Sequence, residues 1–380
     1  MTDSVPILQT TIAHKTVERI LERAIAVQQV AAPTFGELKR AEFVREAFFQ
    51  AGLHDVSMDA IHNVYGRLPG SVGGACLVVS AHLDTVFATD TDLSVRRSGS
   101  RIWGPGIGDN SLGVAALVEL PRLLEETQIA PARDLWLVAN VCEEGQGDLR
   151  GMRAVLERFG PSPAAWVVLE GGFLGRVCFR GIGSRRYRVA VRTEGGHSWF
   201  DFGKPSAVHV LAGLAKQLID LHLPQRPKTT LNIGVIEGGT SVNTIAESAH
   251  LQLDLRSESP KALNELVGRV ERLQGSFAAE GAEVGWETIG DRPAGGLAPE
   301  HPLVACTIGA LEEAGFDGSE IDTAPASTDA NIPLAAGHPA VCIGLTRGYN
   351  LHRRDEYIET EGLGTGLVQL LLLLKKLQRP

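Results

Sequence analysis

Four apolar runs, "CLVVSAH", "DLWLVANVCEE", "AWVVLEGG" and "AVCIGLT", constrain this chain more than any other feature. Helical patterns stand before and among the first three. "KTVERILERAIAVQQV" and "ELKRAEFVREAFFQAG" place apolar residues at helical spacing, with Gly52 positioned as a C-cap, and "SLGVAALVELPRLLEE" follows the first strand candidate. Strands alternating with helices imply an α/β fold with a mostly parallel sheet covered on both faces. The fourth run, Ala340 to Thr346, returns only near the end of the chain.

Between the third and fourth runs the texture changes. "SRRYRVAVRTEG" alternates polar and apolar residues, as a half-exposed strand does. A helix ("SAVHVLAGLAKQLIDL"), two strands ("TTLNIGVIEGG", "AHLQLDLRSE"), a helix ("PKALNELVGRVERLQGSFAAEG") and a strand ("EVGWETIG") follow, and "RPAGGLAP" reads as a linker. The order βαββαβ is the ferredoxin-like arrangement. The expected organisation is a larger domain, residues 1–183 with 294–380, interrupted by a small α+β domain at 184–293. Two domains suit a chain of 380 residues.

Composition excludes more than it selects. A formal net charge of -9 and the lack of a concentrated basic patch give no footprint for nucleic acid. "MTDSVPILQTT" lacks the basic and apolar regions of a secretory signal. "LVQLLLLLKKLQRP" is too short to span a bilayer and reads as a terminal packing helix, so no membrane partner is expected. The cysteines, Cys76, Cys142, Cys178, Cys306 and Cys342, are five, without close pairing, and four lie in apolar stretches. Reduced, buried thiols in a cytoplasmic protein are the expectation.

The polar residues carry the chemistry. "LVVSAH" ends in His82, with Asp84 two residues on; "LWLVANVC" runs into Glu143 and Glu144; "AWVVL" ends in Glu170; "AVCIGLT" is followed by His352 in "NLHRRDEY". Asp109 sits in the glycine-rich "GPGIGDNSLG" just before a helix. Open parallel sheets bind ligands beyond the carboxyl ends of their strands, which would gather these groups at one rim. Two histidines with several carboxylates suit zinc, with manganese or cobalt as alternatives, in numbers sufficient for two ions sharing a bridging carboxylate. Taken singly, each has a plainer account: a core histidine at 82, a turn aspartate at 84, a helix N-cap at 109, exposed glutamates at 143 and 144, a strand end at 170, a surface histidine at 352. Cys142 reads as the last buried residue of its strand rather than a ligand. The joint placement at strand ends favours the metal reading.

The ordered set "SAHLDTVF", "GPGIGDNSLGVAAL", "CEEGQGDLRG", "VVLEGG", "TEGGHSW", "GGTSVNTIAES", "LDLR" and "LHRRDEYI" resembles the co-catalytic dizinc amidohydrolases and peptidases. That family includes peptidase T, glutamate carboxypeptidase, acetylornithine deacetylase, aminoacylase and succinyl-diaminopimelate desuccinylase. The resemblance spans nearly the whole chain and is nearest to the peptidase T-like branch. It implies that His82 and Glu170 bind one zinc, that Asp109 bridges two, and that Glu144 and His352 bind the second. Asp84 would accept a hydrogen bond from the far nitrogen of His82 and so aim it. Glu143 would be the general base. The inserted domain would be a lid and dimerisation surface, making the chain a homodimer. His197 would donate to the oxyanion, and Asn243 and Arg256 would hold the substrate backbone or carboxylate.

Two departures bear on specificity: "YNLHRRDEY" is unusually basic, and "HSW" places a tryptophan where small residues are common. For Arg256 a surface salt bridge competes with substrate binding, and for "STDANIP" near Asp329 a helix cap competes with a role in the pocket. The resulting expectation is a hydrolase that releases an amino acid from a small peptide. Deacylation of an N-acyl amino acid by the same site is the alternative. A non-catalytic metal-dependent binding protein is a remoter one, against which every expected position is filled. A nucleic-acid role for the insert is disfavoured, because its strands lack paired aromatics for base stacking.

Overall fold

The structure, a computed structural model, describes residues 12, 14–276 and 280–378. The N-terminal segment read above for a signal lies outside the described residues apart from Ile12, as do residues 277–279 within the expected helix "PKALNELVGRVERLQGSFAAEG". The chain divides into two compact units, Met1–Arg180 with Gly296–Pro380, and Gly181–Gly295.

The first unit is built on a seven-stranded sheet. Its strands are β1 (His54–Met58), β2 (Val64–Leu68), β3 (Leu77–His82), β4 (Leu135–Asn140), β5 (Ala165–Glu170), β6 (Val177–Cys178) and, much later in the chain, β11 (Ala340–Gly344). The spatial order is β1-β2-β4-β3-β5-β11-β6. The centre, β4-β3-β5-β11, is parallel, and antiparallel pairs flank it. These four parallel strands are the four apolar runs of the sequence. Alternation of side chains along each strand explains why they are apolar throughout. Leu77, Val79, Leu135, Leu137, Val167, Leu169, Val341 and Ile343 face one apolar cluster. Val78, Val138, Trp166, Val168 and Cys342 face another on the opposite side.

Helices α1 (His14–Gln28), α2 (Leu38–Gln50) and α3 (Leu112–Glu126) supply the first cluster; α4 (Arg150–Phe159) supplies Met152 and Val155 to the second. Gly52 terminates α2 as expected. At φ 75 it follows the C-cap Ala51, and the amides of Gly52 and Leu53 donate to the carbonyls of Phe49 and Phe48, closing a Schellman turn. The C-terminal leucine run forms the last helix (Leu363–Leu377), whose leucines from 370 to 374 are buried in the first cluster. No described helix is long and apolar enough to cross a membrane.

The second unit is a four-stranded antiparallel sheet of β7 (Gly183–Thr193), β8 (Thr229–Gly238), β9 (Ser248–Ser257) and β10 (Ala282–Arg292), in the order β8-β9-β7-β10. Helices α5 (Ala207–Ile219) and α6 (Pro260–Ser276) cover the face lined by Val189, Val191, Leu251 and Leu253. This is the ferredoxin-like order, the first strand lying between the third and fourth. Alternating burial along β7 and β9 reflects one covered face.

Candidate active site and metal centre

Parallel registry levels the carboxyl ends of the central strands. His82 stands opposite Asn140, from which the chain continues to Glu143 and Glu144, and Glu170 stands opposite Gly344. Two loops complete the rim. The turn Ile107–Ser111 presents Asp109, at φ -119 and ψ 89, just before α3. Asp109 is not the N-cap of α3: that position is Ser111, whose side chain makes no cap hydrogen bond. The second loop joins the antiparallel strands Arg347–Tyr349 and Tyr357–Glu359. There Asn350 and His352 adopt left-handed φ values of 58 and 65, and Asn350 Nδ2 donates to Asp355 Oδ2 at 3.0 Å.

Two groups of three ligand atoms result, His82–Asp109–Glu170 and Asp109–Glu144–His352, with the atoms of each group within 4.8 Å of one another. Asp109 belongs to both. Its Oδ1 is 3.1 Å from His82 Nε2, and its Oδ2 is 3.1 Å from His352 Nε2. His82 Nε2 is 3.7 Å from Glu170 Oε2, and His352 Nε2 is 2.9 Å from Glu144 Oε1. Ligands roughly 2.0–2.2 Å from a tetrahedral ion stand roughly 3.3–3.6 Å apart, so these four histidine–carboxylate separations lie within a few tenths of an ångström of those around a shared cation. The charge balance points the same way. Asp84, Glu143, Glu144 and Glu170 are buried, and burying ionised carboxylates together is costly unless positive charge lies among them.

The titration of these groups follows. Burial alone would lower the His82 pKa, but hydrogen bonds to Asp109, Asp84 and Glu170 outweigh it and hold the imidazole well above its ordinary range. Asp109 and Glu144 raise His352 to about 10. Burial, against the opposing pull of His82, raises Glu170 to about 7. Asp109 is also penalised by burial, yet the two histidines depress it below the usual carboxylate range. Cys142 is pushed up to about 12, first by burial and then by Glu37 and Asp84, which leaves it a neutral buried thiol. Among the described residues every cysteine is free.

Asp84 does more than the sequence suggested. The nearest acceptor to His82 Nδ1 is the Asp84 backbone carbonyl at 3.0 Å; the carboxylate Oδ1 lies 3.6 Å away. The carboxylate also accepts the Glu143 N–H on Oδ1 and the Glu144 N–H on Oδ2, both at 2.9 Å. It therefore locks the turn carrying both glutamates to the end of β3.

Two residues at the site escaped the sequence reading. Glu356, fully buried, accepts the N–H of Gly106 at 3.0 Å, of Gly108 at 2.8 Å and of Asp109 at 3.0 Å. It ties the loop of His352 to that of Asp109, and its position four residues after His352 was the available signal. Asn110 donates from Nδ2 to the Leu169 carbonyl at 2.8 Å and accepts the Gly171 N–H at 2.9 Å, bracketing Glu170. A Cβ on Gly171 would lie 2.2 Å from the Gly108 carbonyl oxygen, so only glycine fits where the two loops cross. Asp329 accepts from Asn140 Nδ2 at 2.7 Å and precedes a short helix (Asn331–Ala335).

His197, Asn243 and Arg256 belong to the second unit. His197 pairs with Thr244, and the Ser198 N–H donates to the Asn243 carbonyl at 3.0 Å, which brings His197 and Asn243 together. His197 is exposed, and its Nδ1 accepts the Trp199 N–H at 3.2 Å, placing the proton of the neutral ring on Nε2. Asn243 Oδ1 accepts from Ser241 Oγ at 2.7 Å. Arg256 Nε donates to Asp254 Oδ2 at 2.6 Å, the ion pair anticipated as its competing role.

Known proteins share this architecture. A tripeptidase from Staphylococcus aureus superposes with a TM-score of 0.81 at 20% identity, covering 96% of this chain and 99% of its own. A dinuclear metal-binding peptidase of family M20 from Bacillus subtilis gives 0.70 at 14% identity, covering 96% and 99%. In sequence, a succinyl-diaminopimelate desuccinylase from Corynebacterium glutamicum is 24% identical over 344 residues, 87% of this chain and 89% of that one. Residues 78–376 match the peptidase family M20/M25/M40, from the strand that delivers His82 through the loop of His352, and the chain belongs to that family.

Proposed function

We propose that this chain hydrolyses an amide bond in a small peptide, releasing an amino acid, with two divalent cations, zinc first. The observation that carries the reading is the single carboxylate of Asp109 presenting one oxygen to each histidine at 3.1 Å, the arrangement of a bridging ligand. When bound, such a pair of ions polarises the scissile carbonyl and lowers the pKa of an attacking water. His82, Asp109 and Glu170 would hold one, and Asp109, Glu144 and His352 the other. Glu143, whose backbone Asp84 anchors, takes the proton of the water as it attacks and returns it to the departing nitrogen. No serine or cysteine nucleophile enters.

The inserted unit is proposed to act as a lid and to carry the surface of a homodimer. His197 would donate its Nε2 proton to the oxyanion, consistent with the acceptor role of its Nδ1. Asn243, its oxygen engaged by Ser241, would offer its amide N–H to a substrate carbonyl. Arg256 would use the guanidinium nitrogens left over from Asp254 to meet a substrate carboxylate. A cytoplasmic setting is consistent with the free cysteines.

A second reading, deacylation of an N-acyl amino acid, is favoured by the similarity to the desuccinylase and uses the same ions and base. One experiment separates the two. Chelator-stripped protein, restored with zinc, manganese or cobalt, is offered di- and tripeptides and N-acyl amino acids. Metal-dependent release of residues from peptides is the expected result. Turnover of acyl amino acids alone would move the protein to the deacylases, and silence across the panel with two ions bound would remove the enzymatic reading.

A further inference from the structure

The segment leading into α2 reaches the two glutamate-bearing and histidine-bearing strand ends at separate points. It runs beside the end of β3, Pro33 bridging Thr85 and the Thr85 N–H donating to the Ala32 carbonyl at 2.9 Å. Thr34 Oγ1 donates to Asp84 Oδ2 at 2.9 Å. Glu37 Oε1 accepts the Phe35 N–H at 3.0 Å and the Cys142 N–H at 3.2 Å, and the Cys142 thiol lies 3.5 Å from it. Arg40 donates from Nη1 to the Leu83 carbonyl and from Nε to the Val30 carbonyl, each at 2.8 Å.

These attachment points are not scattered. Leu83 is the residue between His82 and Asp84, and Cys142 immediately precedes Glu143. Cys142 takes a left-handed φ of 58, a conformation unfavourable for a non-glycine residue, so the turn needs an outside restraint. Glu37 supplies it at that N–H. Both Glu37 and Arg40 are only 2% exposed, and a buried carboxylate and guanidinium are expensive to keep unless their hydrogen bonds are used.

We infer that Thr34, Glu37 and Arg40 are positioning residues that clamp the end of β3 to the turn 142–144 and thereby set where Glu143 and Glu144 point. Glu37 acts on Glu143 through Cys142. Thr34 acts on Glu144 through the Asp84 oxygen that holds the Glu144 N–H. Arg40 keeps the His82–Asp84 segment in register. The kinetic part of this inference rests on the proposed hydrolase activity; the metal-binding part does not.

The test begins with calorimetric zinc titration of chelator-stripped protein. Thr34→Val removes the hydroxyl and keeps the shape, and it should bind the second zinc roughly tenfold more weakly while the first binds as in wild type. Thr34→Ser should restore wild-type binding. At saturating zinc, Glu37→Ala should lower kcat roughly 10- to 100-fold with KM unchanged, and Glu37→Gln, which retains an oxygen for the Cys142 N–H, should recover most of it. If Glu37→Ala does not fold, the Thr34 pair carries the decision. If wild-type protein hydrolyses nothing, the hydrolase reading falls and the zinc titration still judges the clamp. Wild-type affinity for both ions in Thr34→Val, or an unchanged kcat per folded, zinc-loaded molecule of Glu37→Ala, would overturn it.

Discussion

Glu356 offers the sharpest test of how Asp109 is held. Its two oxygens serve three backbone donors: Oε2 accepts Gly106, and Oε1 accepts Gly108 and Asp109. All three bonds span more than 240 positions of sequence, so nothing local replaces them. Leaving a buried donor unpaired costs roughly 1–3 kcal/mol, so Glu356→Ala should destabilise the first unit by at least about 3 kcal/mol. Glu356→Gln retains one oxygen. Placed at Oε1 it satisfies Gly108 and Asp109 and turns its own N–H toward the Gly106 N–H, which predicts a loss of roughly 1–3 kcal/mol. Urea unfolding of the metal-stripped variants gives the stabilities. Hydrogen exchange across residues 104–112 gives a local reading, with the three amides losing protection in the alanine variant and mainly Gly106 in the glutamine variant. A Glu356→Ala protein within about 0.5 kcal/mol of wild type, with those amides still protected, would refute the argument.

Three further outcomes are expected. Glu143→Ala should keep both ions, since Asp84 holds the main chain and not the side chain, yet lose roughly 10²- to 10⁴-fold in turnover; Glu144→Ala should lose occupancy of one ion, and equal metal loss in the two variants would contradict the assigned roles. Gly171→Ala forces a Cβ to within 2.2 Å of the Gly108 carbonyl, so it should cost roughly 1–3 kcal/mol and weaken the His82–Asp109–Glu170 site, as metal titration would read. In the second unit, burial would raise the Asp254 carboxyl, but Arg256 and Arg186 prevail and lower it from the ordinary value of 3.8. With the folded pKa below the unfolded one, this stabilisation is complete above about pH 4 and vanishes as pH falls through the folded value. Asp254→Asn should therefore lower the melting temperature at pH 7 and have a progressively smaller effect as the pH is taken below about 4; an equal effect throughout would show that packing rather than charge is at stake.

What the sequence determined alone was the alternation of the fold and the inventory of the site. Strand length, apolar continuity and helical spacing are local properties, and they sufficed for the four parallel strands, for α2 with its Gly52 turn and for the βαββαβ insert. The candidate site groups were legible because a charge closing a buried strand conflicts with its surroundings, as at His82, Glu143, Glu144 and Glu170. Tertiary structure alone decided how those groups are aimed. The competition at Asp109 between capping a helix and facing two histidines turns on where residues 82 and 352 lie, which no window around residue 109 contains. The same holds for the Asp84 carboxylate, which reaches across to residues 143 and 144, and for Glu356, Asn110, Thr34, Glu37 and Arg40. Each of these restrains a distant segment, most of them at its backbone and Thr34 through the Asp84 carboxylate, and a side chain that pairs with a remote group carries no periodicity by which to announce it. Their partners exist only once parallel registry has brought the strand ends to one rim.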